Sequence, residues 1–274
     1  MLRPILSITL LIFMALPGRA APSAQVQALG DALQLPALMA IMAEEGLAYA
    51  GDLEAEMFSG RGGGAWQALV KNIYEAKRLE TVMLEVLDEE LTTAELETLI
   101  AFYTGDLGQR VTDLEVTARR ALLDPMVEEG SIAIYEDMAL ESHPRLALIE
   151  DFVQVNDLIE RNVAGGLNSN LSFYRGLNEG GAFEYGMSES DMLADVWAQE
   201  GDVRDETAQW LYPYLTMAYE PLNDSDLQAY IDMSASEAGI RLNAALFAAF
   251  DVMFRQVSYD LGFGAAQFIK GQEL

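Results

Sequence analysis

The sequence predicts an all-α protein, a helical array built from two related copies of four to five helices each. Three observations carry this expectation. Apolar residues recur at three- and four-residue spacing through most of the chain, helix caps punctuate it, and one helical hairpin is written twice. No run of alternating apolar and polar residues between hairpin turns offers a strand.

The elements follow in order. Arg3, the apolar stretch Ile5 to Leu16, and small residues at Gly18 and Ala20 read as an export signal over residues 1–20, cleaved after Ala20. The stretch is shorter than the about 20 residues a membrane crossing needs. With no Cys after the cleavage point, a lipid-anchored form is excluded. Gly60 to Gly64 reads as a loop, and Val82, Met83, Val86 and Leu87 begin a helical pattern. Thr92 with Glu95 is a capping box, and Leu107, Val111, Leu114, Ala118 and Leu122 form an apolar stripe.

Asp124-Pro125 and Ser142-His143-Pro144 each set a capping side chain before a proline in a first helical turn. Gly165-Gly166 and Asn178 to Gly181 read as loops. Pro213 is expected to kink or split a helix over Val203 to Tyr219. Asn223 with Asp226 caps the next helix, and Leu242, Leu246, Phe250 and Met253 mark the last stripe. Gly262 is expected to end it, leaving a tail over residues 263–274.

The repeat appears when Leu91 is laid over Leu222, a shift of 131 positions. Without gaps, Trp66 then meets Trp197, Leu84 meets Leu215, Ile100 meets Ile231, Gly108 meets Gly239 and Arg110 meets Arg241. The identities fall on the cap, the stripe and the glycine, where a helical hairpin demands them. Upstream the shift reads as 120, with Gln34-Leu35 and Gly46-Leu47 echoed at Gln154-Val155 and Gly166-Leu167. The boundary then falls near His143, giving a first copy over residues 21–143 and a second over 144–262.

Composition bounds the function. The chain has 44 acidic residues against 16 Lys and Arg, a formal charge of −28. Residues 1–20 hold two Arg and no acid, so the remainder is two units more negative. That charge opposes nucleic acid and anionic membrane surfaces as partners. Without Cys an exported chain has no disulfides and depends on its core, which 51% hydrophobic residues can build. With no thiolate and one His, His143, thiol and zinc chemistry lack their usual ligands, and no cofactor or metal is expected. Asn223-Asp224-Ser225-Asp226 is oxygen-rich but lacks the calcium-loop pattern, and the Gly60 to Gly64 stretch lacks the phosphate-loop Lys.

The residues that stand out are Phe102, Tyr103, Gly108, Arg110, Gly239 and Arg241. A glycine inside a helix costs about 1 kcal/mol against alanine, so its recurrence at Gly108 and Gly239 points to close backbone approach. Arg110 and Arg241 suit helix C-terminal carbonyls or a carboxylate. Phe102 and Tyr103 distinguish the copies, because Met233 and Ser234 replace them in the second.

The stretch Glu95 to Tyr103, with Gly105, Gly108, Gln109 and Arg110, resembles the core of the domain of unknown function 2059 family. The likeness spans about residues 66–124 and is eroded over 197–255. It implies a helical domain and a periplasmic address, and carries no activity onto any residue. The reading that follows is an exported, non-catalytic helical protein that binds an envelope protein or an apolar ligand between its copies. The alternative is a carboxylate-dependent cell-wall hydrolase, which would need two carboxyls across a cleft. A third reading is a soluble acidic protein that binds cations. Methionines on apolar faces serve as core filling, or as the lining of an adaptable groove.

Overall fold

The computed structural model describes residues 21–271, and within them every regular element is a helix. The segment read as an export signal lies outside the described residues. The first helices are α1 (Ala24–Ala32), α2 (Leu35–Phe58), α3 (Gly63–Ile73), α4 (Ala76–Glu90), α5 (Thr93–Tyr103), α6 (Asp106–Ala121) and α7 (Pro125–Leu140). They are followed by α8 (Arg145–Val155), α9 (Leu158–Gly180), α10 (Glu189–Ala198), α11 (Glu200–Tyr219), α12 (Asp224–Ser234) and α13 (Glu237–Lys270). No helix among the described residues is by itself long and apolar enough to cross a membrane.

Side-chain caps start many of these helices. Thr92 and Glu95 close a full capping box on α5, and Asn223 accepts from the Asp226 amide at 2.9 Å to start α12. Asp124 caps α7 through the Met126 amide, with Pro125 at the first helical position. Before α8 the capping acceptor is His143, whose Nδ1 takes the Arg145 amide at 3.2 Å, rather than Ser142.

Four glycine or proline expectations are corrected, and the first is Asn178 to Gly181, where residues 178–180 are the last turn of α9 and Gly181 its cap. Gly165-Gly166 lies inside α9, not in a loop. A methyl on Gly166 would press on Val203 at 3.1 Å, so this glycine marks a close approach to α11. Gly262 does not end the last helix, and residues 263–270 are its final turns rather than a tail. A side chain at Gly262 would run into the Phe173 carbonyl of α9, and one at Gly176 into the Tyr259 carbonyl of α13. At these two glycines α9 and α13 therefore meet backbone on backbone. Pro213 sits buried within an unbroken α11, where Leu211, Leu215 and Tyr219 in the core hold the turn together.

The helices from α1 to α6 and from α8 to α13 follow each other in the same order of packing. α1 lies on α5 as α8 lies on α12, and α2 meets α3 and α4 as α9 meets α10 and α11. Both α2 and α9 start after a left-handed residue, Gln34 (φ 53°) and Asp157 (φ 52°). These two residues are 123 positions apart. Burial agrees: Val26, Leu29 and Gly30 are buried on α1, and Ile149, Phe152 and Val153 on α8. The paired tryptophans are not equivalent. Trp66 is buried, donates to the Ala50 carbonyl and packs on Phe58 and Phe268, whereas Trp197 is 71% exposed on α10.

Both sets contribute to one continuous hydrophobic core. The helix α13 runs as a single rod where the first set is interrupted between α6 and α7 at Asp124-Pro125. Pro125 turns α7 away to lie on α11, leaving Met126, Ile134 and Leu140 exposed.

Candidate functional site

The hairpins α5–α6 and α12–α13 are built for structure. A methyl at Gly108 would strike the Phe102 carbonyl and the Tyr103 Cα, and one at Gly239 would strike the Met233 and Ser234 carbonyls. The glycines let α6 and α13 turn tightly against the helices before them. Arg110 on α6 pairs with Asp226 at the start of α12 at 2.8 Å. Arg241 on α13 pairs with Glu95 at the start of α5 at 3.3 Å, and also donates to the Glu90 carbonyl at 2.8 Å. Each arginine thus reaches from one set to the first turn of a helix in the other, where an acid also favours the helix dipole. Capping by Thr92, first of all, and then Arg241 keep the Glu95 carboxyl below its ordinary pKa. Both pairs are solvent-exposed, so each contributes at most about 1 kcal/mol.

Phe102 and Tyr103 point to a less ordinary cluster. Phe102 meets the Tyr103 ring edge-on, with ring centres 5.0 Å apart, and stacks on Tyr230 with ring centres 6.2 Å apart. Tyr230 (3.0 Å) and Tyr219 (2.6 Å) both donate to the same carboxylate oxygen of Glu115 on α6. Tyr214 donates to the Glu115 backbone carbonyl at 3.2 Å. Phe152 closes the cluster against Tyr219 and Tyr230. Burial raises the Glu115 pKa against the two hydroxyl donors, which lower it. Burial, followed by the Glu115 charge, pushes Tyr219 and Tyr230 well above the ordinary phenol value. The hydroxyls therefore stay protonated and serve as donors.

Sequence reasoning left Glu115 out, although a signal was present. Glu115 interrupts the buried stripe between Val111 and Ala118, and Leu246 stands 131 positions later.

Tyr214 joins this cluster to a recess between the sets. The groove has a volume of about 700 Å³ and lies among α2, α6, α9, α11 and α13. One wall is the Trp210–Tyr214 stack, with ring centres 4.8 Å apart. The Arg119 guanidinium sits 4.8 Å over Trp210 and is held by both Glu45 oxygens at 2.9 and 2.7 Å. The facing wall carries Phe247, Phe250 and Phe254, the last two stacked 6.0 Å apart. Leu38 and Met42 extend the apolar lining, and Ala244 and Ala248 keep it open. Arg161 lies at the rim with its guanidinium 5.5 Å from the Phe247 ring.

Asp251 is the one carboxylate among the lining residues, and it accepts from Asn168 (2.8 Å) and Arg255 (3.2 Å). The groove therefore does not present the facing pair of carboxyls that glycoside hydrolysis uses. None of Phe102, Tyr103, Gly108, Arg110, Gly239 and Arg241 lines it. They brace the seam beside it.

Residues 77–136, spanning most of α4 to α7, match the family model described as an uncharacterized protein conserved in bacteria (DUF2059). No curated protein and no solved structure matches the chain.

Proposed function

We propose that this protein is an exported, non-catalytic binder that takes an apolar ligand in the groove between its two helical sets. The observation that carries this reading is the groove itself. Its volume falls within the roughly 300–1,000 Å³ of small-molecule sites, and its walls are aromatic and aliphatic with few polar groups. Arg119, already held by Glu45, orders the Trp210 wall instead of reaching for solvent. The same helices that form the walls carry the shared core, so the recess is pre-shaped.

The correspondence of α1–α6 with α8–α13 supports an origin by duplication. The equivalent glycines, the left-handed starts of α2 and α9, and the reciprocal arginine pairs all fit one unit used twice. Contacts of that reciprocal kind arise when like units meet about a two-fold axis. The boundary at residues 143–144 falls in the short link between α7 and α8.

Titration with a neutral apolar dye such as N-phenyl-1-naphthylamine tests the groove. One saturable site is expected, and Ala248→Trp, which fills the recess, is expected to abolish it without lowering the melting temperature. Saturable binding that survives Ala248→Trp would place the ligand elsewhere. Export is tested separately by N-terminal sequencing of protein recovered from the periplasm of a Gram-negative host. A mature chain starting at Ala21 is expected, and retention of residues 1–20 would overturn it.

A further inference from the structure

Arg161 is the odd arginine of this chain. Among the described residues every other arginine donates at least one hydrogen bond, to a carboxylate or to a backbone carbonyl. Arg161 donates none, and its Nε is buried without a partner. Its nearest acid, Asp157, stands 3.7 Å from Nε, beyond hydrogen-bond reach. The guanidinium is instead held over the Phe247 ring at the mouth of the groove. A buried donor left unmet is costly, and a ligand oxygen at this point would meet it.

The surrounding groups define the sign of that ligand. Arg119 is neutralised by Glu45 and Asp251 by Arg255, while Asn168 donates a further hydrogen bond to Asp251. The Asn162 amide is spent on the Leu158 carbonyl. Arg161 is therefore the lining cation whose Nε–H is buried and unmet, its charge faced only by Asp157 at 3.7 Å, in a chain that is otherwise strongly acidic. A planar fork of donors beside an apolar recess suits a carboxylate or phosphate better than a neutral or cationic group. The recess of about 700 Å³ holds roughly twenty groups of water-like size, at about 30 Å³ each, which is one acyl chain with its headgroup.

We propose that the groove binds a single-chain amphiphile with an anionic headgroup, carboxylate or phosphate, seated against the Arg161 guanidinium with its chain between the Trp210–Tyr214 and Phe250–Phe254 walls. The proposal rests on the reading of the groove as an apolar-ligand site and specifies its ligand class.

The test is calorimetric titration of the intact protein with four twelve-carbon ligands below their micellar concentrations: dodecanoate, dodecyl phosphate, dodecanol and dodecyltrimethylammonium. At least one anion is expected to bind tenfold or more tighter than the alcohol, with the cation weakest; the tighter anion identifies the headgroup source. Arg161→Gln is expected to erase the anion preference while leaving dodecanol affinity and the melting temperature unchanged. Arg161→Lys, which keeps the charge but not the fork, should retain part of the preference. Dodecanol binding as tightly as both anions, or an anion preference that survives Arg161→Gln, overturns the headgroup assignment and leaves the groove reading standing. No binding by any of the four would remove the groove reading as well.

Discussion

Glu115→Ala is expected to lower the unfolding free energy by about 3 kcal/mol, because it strips the shared acceptor from two buried tyrosine hydroxyls. Tyr219 and Tyr230 both donate to one Glu115 oxygen, and neither has another hydrogen-bonded carboxylate. Glu115→Gln behaves differently, since it keeps an acceptor and removes the charge. Burial raises the Glu115 pKa above its unfolded value of about 4.3. The folded state then holds a proton that the unfolded state has already released. The stabilisation from this group is full below the unfolded pKa and declines as pH rises through the folded one. The Gln variant lacks that decline, so its stability relative to the wild type should increase from pH 4 to pH 7. Glu95, Glu160 and Glu189 have lowered pKa values and act in the opposite direction in both proteins, so they cancel in the difference. Urea melts of the three proteins at pH 4 and pH 7 provide the check. Equal losses for Ala and Gln would show that the hydroxyls do not depend on this acceptor.

The second large effect concerns glycine. Gly108→Ala and Gly239→Ala should each cost about 2–4 kcal/mol, although alanine is the better helix former by about 1 kcal/mol. At both sites the added methyl meets backbone of the preceding hairpin arm, which has no rotamer to yield. Gly130→Ala is the matched control. It lies inside α7 with nothing near its added carbon, so it should stabilise the protein by up to about 1 kcal/mol. Thermal melts of the three variants decide the matter. A neutral Gly108→Ala would mean that the hairpin opens freely at that point.

These two experiments fall on different sides of what could be read from the chain. Gly108 and Gly239 were legible because a glycine inside a helix, just after a capped helix, points to close backbone approach. The caps at Thr92, Asp124 and Asn223 were legible for the same local reason, since a side chain and an amide three or fewer residues apart make the whole contact. Gly165-Gly166 and Gly262 were misread because glycine serves both to break a helix and to let two helices touch. Only the neighbour, supplied by α11 or α9, separates those uses. The groove was expected in kind but not in residues. Arg119, Arg161, Trp210 and Phe247 come from four helices, and nothing in their sequence spacing announces that they meet. Glu115 is legible in principle, because an acid there breaks the apolar stripe between Val111 and Ala118.

The reciprocal arginine contacts have a consequence for concentration. Two separate subunits meeting across such a seam must give up translational freedom, at a cost of at least about 4 kcal/mol, and they part on dilution. Here α7 and the short link after it tie the two sides together, and the partner is always at hand. The seam, and the recess it encloses, therefore persist when the protein is scarce. A sparse protein keeps this recess without first finding a mate.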